Sequence, residues 1–123
     1  MSNGIEINWL LEPEEKDYKS AESYLYLLYD SLTVKGFGVK LRKKKMFKFQ
    51  AKDIFRASSL SLLGANNSHV EKDRLKIQEG KYLSPILLVR DQKNGKVVIA
   101  DGYHRMCAVY TFNEDAWIPC KII

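Results

Sequence analysis

The sequence predicts an α/β domain of the α+β kind: a small mixed sheet with helices packed around it, plus an N-terminal amphipathic helix. Three observations carry this. Ile86-Leu87-Leu88-Val89 is a continuous apolar run, as a strand covered on both faces needs. Asn94-Gly95, a strong hairpin signal, joins that run to a return strand over Lys96–Ala100. Ala21, Leu25, Leu28 and Leu32 recur at spacings of four, three and four, which lines one side of a helix.

The elements follow in order. Residues 1–12 read as an irregular arm, with Trp9, Leu10 and Leu11 as an anchor onto the core. Pro13, Glu14 and Glu15 start the first helix, where proline fits and acids meet the positive end of the dipole. Its tyrosines, Tyr18, Tyr24, Tyr26 and Tyr29, serve as packing material or as a stacking platform. Gly36-Phe37-Gly38 breaks that helix, and Leu41–Lys45 follows as a basic loop or strand start. Met46–Gln50 alternates apolar and polar residues, a half-buried strand. Ala51–Ser58 is a short helix with Ile54 and Phe55 inward, and Leu60–Asn67 is a loop. Ser68 and Glu71 fit a capping box, opening a helix that stops at Gly80. Tyr103–Phe112 is helical, and Trp117–Ile123 is a last strand in which Pro119 argues for an edge or bulged position. This divides the chain into an arm, helix and basic loop (1–45) and a second part (46–123), together one globular unit.

At 123 residues the chain is long enough for one domain with a genuine core, not for two domains. No apolar run approaches the ~20 residues of a membrane span, and no signal pattern opens the sequence, so no membrane partner and a cytoplasmic location are expected. Cys107 and Cys120 sit among apolar neighbours without metal-ligand spacing, which predicts buried, reduced thiols. No metal site is read; His69 and His104 are far apart in sequence and fit structural roles. The net charge of +5 is uneven: residues 35–56 hold nine bases against Asp53 alone, while residues 1–34 carry seven acids and two bases. The basic stretch is either a solvated face, a balance for the acidic arm, or a surface for nucleic acid through Arg42, Lys43, Lys44, Lys45 and Lys48.

The stretch Val97–Arg105 holds the chemistry. A strand that stops at Asp101-Gly102 and turns into a helix leaves backbone N–H groups and the positive dipole end facing one spot, an anion site. Gly102 permits close approach of a phosphate, and His104 and Arg105 add side-chain donors. Asp101 is either a helix cap or a group that orients a hydroxyl and accepts its proton.

The order of Leu83-Ser84-Pro85-Ile86-Leu87-Leu88-Val89, a hairpin, Gly102-Tyr103-His104-Arg105, a helix and Ile118-Pro119-Cys120-Lys121-Ile122 resembles the ParB/sulfiredoxin superfamily over Phe47–Ile123. ParB-type domains show a PI.V strand, a G-E-R-R turn and an IP strand; sulfiredoxins show SPI, G-C-H-R and IPAKLV. The resemblance implies a compact α/β fold whose Gly-x-x-Arg turn holds nucleotide phosphates, ATP in sulfiredoxins and CTP in partition proteins; Mg is the metal ion to be expected with such a nucleotide. It implies phosphate ligands at Gly102, His104 and Arg105, with Arg56, His69 and Lys72 nearby; Tyr103 in the same turn is a further candidate phosphate contact, and Asp101 and His104 are the candidate catalytic groups. The nucleophilic cysteine of sulfiredoxins is Tyr103 here, so that activity is not expected. A helix-turn-helix does not follow the last strand, so a partition clamp is not expected either. The function expected is a stand-alone nucleotide-binding domain acting at a phosphoryl group as kinase or phosphohydrolase. The alternative is a DNA-binding module or ParB-like nuclease working through the basic segment 35–56.

Overall fold

The computed structural model describes residues 5–123. Its elements are β1 (Asn8–Trp9), α1 (Glu15–Leu25), α2 (Ser31–Lys43), β2 (Phe47–Gln50), α3 (Ala51–Ser58), α4 (Ser68–Gln78), β3 (Tyr82–Leu83), β4 (Ile86–Asp91), β5 (Lys96–Asp101), α5 (Tyr103–Phe112) and β6 (Trp117–Ile122). The α+β class read from the sequence holds. A four-stranded sheet runs β2-β6-β4-β5, and β1 and β3 form a two-stranded parallel patch. The main sheet is mixed, because β6 lies parallel to β4 while the other two pairings are antiparallel.

The apolar run of β4 explains the layering. Alternate side chains leave opposite faces of a strand, so a run without polar residues must be covered twice. Ile86 and Leu88 join Ile54, Val70, Ile77, Met106 and Val109 in the core beneath α3, α4 and α5. Leu87 and Val89 join Tyr18, Ala21, Leu25, Val34 and Leu41 in a second core beneath α1 and α2. Among the described residues no helix is long and apolar enough to cross a membrane.

Several expectations are corrected. The first helix ends at Leu25 rather than near Leu32. The amide of Leu28 folds back to the Leu25 carbonyl, and Asp30 caps a new helix by accepting from Thr33 N at 2.8 Å. Of the apolar stripe, Ala21 and Leu25 are buried, whereas Leu28 and Leu32 are 50% and 83% exposed. Gly36-Phe37-Gly38 does not break a helix but lies inside α2. Gly38 marks a close approach, since a Cβ there would sit 2.0 Å from Glu22 Oε2. Arg42–Lys43 accordingly end α2 instead of opening a loop. The cap of α4 is Asn67, one residue before Ser68, accepting from the amides of His69 and Val70 at 3.0 and 3.1 Å. Pro119 sits on an inner strand, β6. It is tolerated because it pairs with Lys48 of β2, while pairing with β4 begins only at Cys120. In the arm, Asn8 and Trp9 pair with Tyr82 and Leu83, but Leu11 is 91% exposed and anchors nothing.

Candidate functional site

The site forms where β5 hands over to α5. Leu87 pairs with Asp101 and Leu88 with Ile99, so Ala100 is an extra residue in β5, a bulge. The bulge turns Asp101 to the side of α1, where Asp17 and Ser20 face it. Gly102 follows with φ +109°, a left-handed backbone, and caps α5. A Cβ at Gly102 would meet Ile86 Cγ1 at 2.7 Å, so both conformation and space demand glycine. Asp101 is therefore the last residue of the strand, not the helix cap. The first intrahelical bond of α5 runs from Met106 N to Gly102 O. The amides of Tyr103, His104 and Arg105 precede it and are left for a ligand or solvent.

Arg105 is tied down. Its Nη2 donates to Asp101 Oδ2 at 2.8 Å and to the Pro85 carbonyl at 3.3 Å, with the two side chains only 17% and 12% exposed. No hydrogen bond within the chain uses its Nε, which is buried. The arginine thus clamps the first turn of α5 to the end of β5 and the start of β4, at the wall of the cleft. Burial pushes the Asp101 carboxyl above the usual aspartate range, and Arg105 opposes that rise.

Two clefts meet at this turn. One, of about 230 Å³, is polar and lies between α4 and α5, lined by His69, Lys72, Asp73, Lys76 and Asp101–Arg105. The other, of about 370 Å³, lies on the α1 side, lined by Ser20, Tyr24, Leu60, Ile99 and Ala100. Asp101, Gly102, Tyr103 and His104 line both clefts. The rings of His69 and His104 stand 4.7 Å apart. Burial lowers the His104 pKa, His69 adds to that, and Asp73 opposes it. Tyr103 donates its hydroxyl to the Ser61 carbonyl at 2.5 Å, pinning the loop before α4 across the turn.

The structure brings together Asp101, Gly102, Tyr103, His104, Arg105, His69 and Lys72, but not Arg56. That arginine is 76% exposed at its side chain, pairs with Asp53 at 2.7 Å and lines neither cleft. Arg42 is likewise removed from any open basic surface by ion pairs to Glu15 and Glu22 at 2.7 and 3.1 Å. Cys107 is fully buried and its thiol is pushed up by that burial, which leaves no reactive thiolate at the turn. Sequence reasoning missed Asp73 and Lys76. Their signal was present, because His69, Lys72, Asp73 and Lys76 fall at helical spacings of three and four. The bulge at Ala100 and the second cleft had no local signal. Among the described residues no three histidine, cysteine or carboxylate side chains are placed to hold a metal. No family model matches the chain, and no curated protein or solved structure matches it.

Proposed function

We propose that this chain is a ParB/sulfiredoxin-like nucleotide-binding domain that seats phosphates in the polar cleft and acts there as a kinase or phosphohydrolase. One observation carries the reading. The free amides of a left-handed glycine turn, at the positive end of α5, open into a cleft that Lys72, Lys76, His69, His104 and Arg105 also line. Amides and fixed cations converging on a small polar space suit a phosphate chain, whose charge they neutralise in the ground state and during transfer.

Asp101 supports a role in transfer because it borders both clefts. With phosphates in the polar cleft and a hydroxyl or water in the other, its carboxylate accepts the proton of the attacking oxygen. A new P–O bond forms to that oxygen, and the bond to the departing phosphate breaks with its electron pair. ATP and CTP are the nucleotides to test. Magnesium fits as a companion of the phosphates, with Asp73 as a nearby carboxylate, since no three metal-ligating side chains come together among the described residues.

Thermal melting against ATP, CTP and GTP, with and without magnesium, tests the reading. A nucleotide at 100 times its Kd raises stability by about 2.7 kcal/mol, several degrees for a chain of this size. The paired substitution Lys72→Ala and Lys76→Ala, at an exposed and a half-buried position of α4, abolishes the shift while the unliganded protein keeps its cooperative melting transition. No shift with any nucleotide refutes the proposal.

A further inference from the structure

We infer that a second surface, at the other end of the sheet from the glycine turn, binds single-stranded nucleic acid. Lys40, Lys43 and Lys44 fall at helical spacings of three and four, so they share one side at the end of α2. Arg42, two positions from Lys40, turns to α1 and its carboxylates instead. The three lysines meet Arg90 of β4 around a concavity of about 460 Å³. None of these four cations has an ion pair among the described residues, and all four are exposed. Asp91, the nearest acid along β4, accepts from Asn94 at 2.8 Å in the hairpin.

A second concavity of about 260 Å³ continues from the first through Lys40, Arg90 and Ile123, and Phe37 and Val89 line it. Phe37 is half-buried and held edge-on by Tyr29 at 5.1 Å between ring centres. A cationic trough running into a fixed aromatic ring matches a strand that offers phosphates and unstacked bases. A duplex hides its bases from such a ring, and a membrane surface does not enter a concavity. This inference does not depend on the nucleotide reading, because none of its residues lines the cleft at the glycine turn.

Fluorescence anisotropy of a labelled twelve-residue oligothymidine, read at 50 and 150 mM NaCl, tests it. Four phosphate contacts give a logarithmic salt slope of roughly −3, hence roughly twenty-fold weaker binding at the higher salt. The double variant Lys43→Glu, Lys44→Glu weakens binding at least ten-fold. The charge-matched Lys52→Glu, Lys81→Glu, on α3 and just after α4, changes it less than two-fold. Phe37→Leu, which keeps the apolar packing, weakens it several-fold with an unchanged salt slope. Equal losses in the two charge variants, tighter binding of a duplex than of oligothymidine, or capture by phosphatidylserine vesicles without oligonucleotide binding each overturn the proposal.

Discussion

Two residues set the properties of the turn. Gly102 combines a φ of +109° with a Cβ position 2.7 Å from Ile86 Cγ1. Gly102→Ala therefore costs about 3 kcal/mol in strain and overpacking. Thermal melting should place the variant about 10 °C below the parent chain, and a loss under 2 °C would show that the turn relaxes freely. His104 sets the pH response. Its folded pKa lies below the ordinary 6.5, because of burial first and His69 second. The unfolded chain thus takes up the proton more readily, and the native state loses stability as pH falls from 6.5 through the lowered value. His104→Gln removes that part of the loss, visible as a flatter Tm profile between pH 7 and 5. An anion in the cleft reverses the sign for binding. Phosphate charge favours imidazolium, so tripolyphosphate binding takes up protons near pH 6, measurable by calorimetry in buffers of different ionisation heat.

Elements whose boundaries depend on nearby residues were legible in the sequence. Asn94-Gly95 turns the β4–β5 hairpin, with Gly95 at φ +64°, and Gly80 ends α4 at φ +74°. The buried run of β4 is covered on both faces as its composition requires. Elements decided by distant contacts were misread. The Leu28 and Leu32 positions continue a helical stripe on paper, yet the chain turns at Tyr26–Tyr29 because Asp30 caps a second helix that crosses the first. The crossing brings Glu22 against Gly38 and both Glu15 and Glu22 onto Arg42. A glycine pair that looks like a breaker is there partly a contact surface, and only the partner helix reveals it. The site divides in the same way. Gly102 to Arg105 is one local motif, whereas Lys76 and Asp73 reach it only through the docking of α4 on α5. The bulge at Ala100 depends on pairing with β4, which no single stretch encodes.

At the scale of the molecule, residues before β2 are not an appendage to the part that carries the glycine turn. Tyr18, Ala21 and Leu25 of α1 and Val34 and Leu41 of α2 close the core over Leu87, Val89 and Ala100. Lys121 in β6 is 1% exposed, and among the described residues its charge is met by Glu12, the Arg42 carbonyl and the Tyr18 ring, all before β2. Removing them would strip one side of the sheet and leave a lysine without partners, and burying a charge unpaired is costly. A fragment of residues 46–123 should therefore lack a cooperative thermal transition, although the resemblance at the turn lies wholly within it. Near-ultraviolet circular dichroism and melting of the fragment provide the check. A sharp transition within 10 °C of the whole chain would make 46–123 a domain in its own right and reduce α1 and α2 to a cover. Loss of the transition, with its recovery on adding residues 5–45 as a separate peptide, would show that both cores belong to one folding unit. Asp101 then keeps its place between two clefts only while α1 supplies Ser20 and Tyr24 to the second of them.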